Sequence, residues 1–118
     1  MNVVHEILQF ITVRAKAIHH DMKVIPRFDE DGTEGLFVYV SMTDDESILD
    51  NVSLYVHFPA EEIQMYLPND RIQTSEALDT ALMIKRMAQL QVDIDRRLPE
   101  WNSRLTQEDL DMFQRSAA

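Results

Sequence analysis

Four histidines and twenty-one carboxylates are the groups in this 118-residue chain that could carry chemistry, and one arrangement of them has the character of a metal site. His19, His20 and Asp21 are consecutive, and Asp44, Asp45, Glu46 and Asp50 follow in a second acidic stretch. Imidazole and carboxylate together suit a divalent ion, so a metal-dependent hydrolase working through His19, His20, Asp44 and Asp45 is one function to weigh. Against it, the ligands have no fixed spacing, no residue is marked as a nucleophile, and neighbouring histidines at a helix end usually diverge. A calcium loop fails on position: counted from Asp29, Gly32 is fourth and Val40 twelfth, where an EF-hand needs glycine sixth and glutamate twelfth. No Gly-rich phosphate loop, Gly-x-Ser-x-Gly or His-Glu-x-x-His occurs. Cysteine is absent, which removes thiolate chemistry and favours a reducing compartment. The sequence therefore predicts no metal, no cofactor and a non-catalytic chain.

The elements that would position these groups follow from periodicity. Val4, Ile7, Leu8, Ile11, Ala15 and Ile18 share one side of a helix over residues 2 to about 19, with Asn2 as its cap and His19 and His20 at its close. Met22 to Phe28 reads as a first strand, placed at a sheet edge by Pro26. Leu36, Val38, Val40 and Met42 alternate with Phe37, Tyr39 and Ser41, and Val52, Leu54, Val56 and Phe58 alternate with Ser53, Tyr55 and His57. Period two means two more strands, aliphatic on one face and aromatic on the other. Pro59, Glu61 and Glu62 suggest a helix starting after Phe58. Thr74 or Ser75 caps a long helix that runs to about Leu98, where Pro99 stops it. A connector, Glu100 to Ser103, leads to a last helix capped by Thr106 with Asp109 as its box partner and Leu105 and Leu110 as its staple.

The expected fold is one α+β domain over residues 1–118, a three-stranded antiparallel meander with an N-terminal helix, a long helix and a short C-terminal helix, in the order α-β-β-β-α-α-α. Cytoplasmic location is the default reading, because the absence of cysteine favours a reducing compartment, and no run approaches the length of a membrane span.

Net charge is −10, and residues 29–50 hold eight acids and no base. Asp29, Glu30, Asp31 and Glu34 fill one turn; Asp44, Asp45 and Glu46 fill the next. That distribution argues against direct nucleic-acid binding and suits steering of a basic protein partner. Two surfaces could meet such a partner. One is the aromatic sheet face, Phe37, Tyr39, Tyr55 and His57, unless the long helix covers it as a second core layer. The other is the stripe Met83, Met87, Leu90 and Ile94, which gives either a symmetric dimer or a core contact.

The order helix, three strands, helix is similar to that of double-stranded RNA-binding domains, yet Glu61 and Glu62 stand where that family has phosphate-binding lysines. Small acidic secretion chaperones also begin with a helix before a sheet, but carry more strands before the final helix than can be read after Phe58. The function expected from the sequence is a protein-binding adaptor, chaperone or inhibitor, forming a homodimer. Alternatives are a phage-type acidic inhibitor that mimics nucleic acid at its partner's site, and the hydrolase above.

Overall fold

Asn2 starts the first helix as its type predicts: its Oδ1 accepts from the Val4 N–H at 2.7 Å, and its Nδ2 donates to the Asp109 carbonyl at 3.0 Å. A single side chain thus caps α1 (Val3–Ile18) and ties it to the C-terminal helix. In the computed structural model, which describes residues 2–28, 35–42, 52–67 and 74–117 (side chains 74–79 and 116–117 excepted), the order is α-β-β-β-β-α-α. The strands β1 (Lys23–Phe28), β2 (Leu36–Ser41), β3 (Ser53–Phe58) and β4 (Glu62–Tyr66) form one antiparallel sheet in the order β1-β2-β3-β4. The α+β class and the meander stand, with Pro26 on an edge strand as expected.

Three strands become four. Residues 59–67 do not form the expected helix; Pro59 to Glu61 turn the chain back and β4 pairs with β3, Ile63 opposite Val56 and Gln64 opposite Tyr55. Glu61 sits at φ 54, a left-handed conformation that reverses the chain rather than starting a helix. Asn102 holds this turn, its Nδ2 donating to the Pro59 carbonyl at 3.1 Å and to Glu61 Oε1 at 2.9 Å.

The long helix α2 (Thr74–Arg104) passes through Pro99 instead of stopping there, and the expected connector Glu100 to Ser103 is helical. Its 31 residues span about 46 Å at 1.5 Å per residue, close to the 48 Å long dimension of the molecule. The reason for the extension lies in the last turns. Trp101 is fully buried, edge-on to Phe10 (5.0 Å) and Phe58 (6.4 Å). Arg104 reaches Glu6 at 2.6 Å, and Arg97 and Glu100 join the same network. In α3 (Gln107–Ala117) the capping box forms as expected, with Thr106 Oγ1 accepting from Asp109 N–H and Asp109 Oδ2 from Thr106 N–H, both at 3.1 Å.

All three helices contribute to one core on the aliphatic sheet face, where Leu36, Val38, Val40, Leu54, Val56 and Phe58 meet Ile7, Ile11, Met87, Ile94 and Trp101. Among the described residues no helix is long and apolar enough to cross a membrane. Both acidic turns lie outside the described residues, as do the end of the expected short helix at residues 68–70 and the side chains of the Thr74 and Ser75 cap.

Candidate functional site

Strand parity and register assign the other sheet face residue by residue. One row crosses it as Arg27, Phe37, His57 and Glu62; the next as Ile25, Tyr39, Tyr55 and Gln64; a third as Lys23, Ser41, Ser53 and Tyr66. The buried apolar residues of the helices cluster with the opposite, aliphatic face, while at one end of this face Tyr39, Ser41 and Ser53 are only 0–4% exposed. Phe37 and His57 stack at 4.0 Å and 5°, Phe37 lies 5.2 Å from Tyr55, and Tyr55 meets Tyr66 edge-on at 6.5 Å. Cross-strand aromatic pairs of this kind contribute about 0.2–1 kcal/mol each. The ladder therefore fixes its own geometry before any partner arrives.

Gly35, at φ +104, makes the stack possible. A Cβ there would collide with the Phe58 carbonyl oxygen and approach His57 Nε2 to 3.0 Å. Among the described residues that Nε2 is buried with no hydrogen-bond partner.

The aromatic face divides in two. Tyr39 is 4% exposed, its hydroxyl 3.3 Å from Ser53 Oγ, which donates to Ser41 Oγ at 3.2 Å; Ser41 and Ser53 are fully buried. Tyr39 is thus a buried structural group rather than a contact residue. Phe37, Tyr55, His57 and Tyr66 remain partly exposed. Sequence reasoning missed Tyr66, Gln64 and Glu62 because it gave them to a helix. The signal available was their alternation with Ile63 and Met65.

The second candidate surface, the long-helix stripe, is not a surface. Met87, Leu90 and Ile94 are 0–2% exposed within the chain's own core, since the sheet already offers them a partner; Met83 is half-buried. Leu82 and Val92, on the same helix, are 46% and 42% exposed. Met83 lines a groove of 330 Å³ with Ile18, His19, Met42, Leu82 and Arg86. Met42 and His19 in one groove place the exit of β2 at the end of α1, as a meander requires; Asp44, Asp45, Glu46 and Asp50 lie outside the described residues.

The histidine pair does not diverge. His19 and His20 stack at 4.6 Å and 19°, and the candidate ligand atoms of His19, His20 and Asp21 fall within 4.8 Å of one another. His20 Nε2 and Asp21 Oδ1 are 3.4 Å apart, about the edge of a tetrahedron around an ion with 2.0–2.1 Å bonds. His19 breaks the set: its Nδ1 accepts from the Asp21 N–H at 3.0 Å, which leaves the proton of the neutral ring on Nε2. Two nearly parallel rings also cannot both hold one ion in their planes.

On the far side of the core, the Arg104 guanidinium hydrogen-bonded to Glu6 holds that carboxyl below the usual range, with Arg97 adding to the effect. Glu6 in turn raises Arg104. This cluster clamps α1 to the last turns of α2 and is structural.

Comparison with protein-family models, with curated proteins and with solved structures finds no match.

Proposed function

We propose that this chain is a non-catalytic protein-binding module, an adaptor, chaperone or inhibitor, whose contact surface is the sheet face bearing Phe37, Tyr55, His57 and Tyr66. The observation that supports this reading is the partly exposed aromatic ladder on the face opposite the aliphatic core. Aromatic side chains are enriched where protein partners bind, because they bury a large area at low entropic cost. The acids of residues 29–34 and 44–46, adjoining β2 in sequence, would raise the rate of encounter with a basic partner. That partner is a protein; nucleic acid is disfavoured by the charge.

The test is retention of a partner from the native host on immobilised protein, identified by mass spectrometry and compared with the double variant Phe37→Ala, Tyr55→Ala. The double variant should lose the partner and keep its circular dichroism spectrum, while Val13→Ala, exposed on α1, should behave as wild type. Equal capture by the sheet-face variant would end this reading.

A further inference from the structure

The two edges of the sheet are built differently. β1 carries Pro26 at its middle and the cationic side chains Lys23 and Arg27, the devices by which edge strands resist further pairing. β4 has neither proline nor lysine; its one charge is Glu62. Among the described residues no strand pairs with its outer side, so alternate N–H and C=O groups along it point away from β3.

We propose that β4 pairs with β4 of a second copy of this chain, antiparallel, about a two-fold axis through Gln64. An axis normal to the sheet and passing through a residue keeps both sets of helices on one side, and the choice of residue decides the rest. Through Glu62 the axis would set two carboxylates directly opposite, which is destabilising, and through Ile63, Met65 or Tyr66 it would leave part of the strand unmatched. Through Gln64 all five residues pair: Ile63 meets the partner's Met65 on the helix side, and Glu62 meets the partner's Tyr66 on the aromatic side. The two Glu62 carboxylates then stand about 14 Å apart along the strands at 3.4 Å per residue.

A second observation agrees with this register. Leu67 directly follows β4 and is 56% exposed, a large apolar side chain in water. The same axis carries it across from the partner's Glu61 and beside the exposed turn at Pro59 and Ala60, the turn that Asn102 fixes. Covering Leu67 removes apolar surface from solvent on both copies at once. The result is a continuous eight-stranded sheet whose two aromatic faces join at Tyr66 and Glu62. This pairing uses the strand edge and does not depend on the role proposed for the sheet face.

The absence of cysteine makes the register testable. In Gln64→Cys the two thiols face each other with Cα atoms about 4.5–5.5 Å apart, within the range a disulfide spans; in Glu62→Cys they are held apart. Mild oxidation should convert Gln64→Cys to a covalent dimer and leave Glu62→Cys with free thiols, and wild type should sediment at twice its 13.8 kDa. Leu67→Lys, outside the strand and so without cost to the fold, should weaken dimerisation at least tenfold. Wild type at monomer mass at about 100 times the concentration used for the oxidation would overturn the proposal. So would equal cross-linking of the two cysteine variants, or a Leu67→Lys protein that dimerises as wild type does.

Discussion

Pro99 separates the two accounts of the long helix. If the helix ended at Leu98, Pro99 would be a well-placed stop and replacing it would gain nothing. In the structure α2 continues to Arg104, so Pro99 occupies a helix interior, has no N–H to donate to the Asp95 carbonyl, and crowds that carbonyl with its ring. Proline costs about 3 kcal/mol relative to alanine at such a site. Its side chain is exposed, so Pro99→Ala opens no cavity and removes no core contact. Against the gain, proline restricts the unfolded chain, a benefit of about 0.4–1 kcal/mol that alanine gives up. The net expectation is stabilisation by about 2 kcal/mol, which for a chain of this size raises Tm by roughly 8 °C. Urea unfolding followed by the fluorescence of Trp101, the chain's one tryptophan, measures it directly, because that indole is buried two residues away. A neutral or destabilising Pro99→Ala would refute the continuous helix and the burial of Trp101 that it provides.

Two other substitutions probe the framework around the site. Gly35→Ala must fit a Cβ against the Phe58 carbonyl at φ +104 and should cost about 1–3 kcal/mol, read as a lower urea midpoint; an unchanged midpoint would mean that the Phe37–His57 stack does not depend on this approach. Because the folded pKa of Glu6 lies below its unfolded value of 4.5, its stabilising effect is complete above about pH 4.5 and is lost as pH falls through the folded value. Glu6→Gln should therefore be less stable than wild type at pH 7 and should flatten the fall in stability below pH 5; identical slopes for the two proteins would remove the Arg104 clamp from the account.

What could be read from the sequence was whatever a strict period or a local hydrogen bond determines. Alternation fixed β2 and β3, and the Asn2 and Thr106 caps marked α1 and α3, because each depends on residues within a few positions of one another. β4 failed the same test for a local reason. Pro59, Glu61 and Glu62 are the residues that open a helix, and only the positive φ of Glu61 with the hold of Asn102, forty-one positions away, selects a turn. Pro99 was read as a stop because its penalty is local, whereas the burial of Trp101 between Phe10 and Phe58, far away in the chain, offsets it. The stripe Met83, Met87, Leu90 and Ile94 was ambiguous for the converse reason: a dimer seam and a core seam use the same spacing, and only the sheet lying under it makes it core.

The candidate site follows the same division between local pattern and distant cover. Alternation put Phe37, Tyr39, Tyr55 and His57 on one face, but gave no way to tell that Tyr39 joins a buried hydroxyl chain with Ser53 and Ser41 while the others stay open. Burial is greatest on β2 and β3 at the end where β2 leaves the sheet and β3 enters it, so the Phe37–His57 stack stays open toward Gly35 and the Pro59 turn, with Tyr55 and Tyr66 open along β3 and β4. The row there runs Arg27, Phe37, His57, Glu62, a cation at one edge and a carboxylate at the other with stacked rings between. On the proposed reading this polarity sets the partner's direction across the sheet. A segment that lays an apolar side chain on the Phe37–His57 stack and a basic one toward Glu62 sets unlike charges together at the β4 edge, which favours that direction across the row.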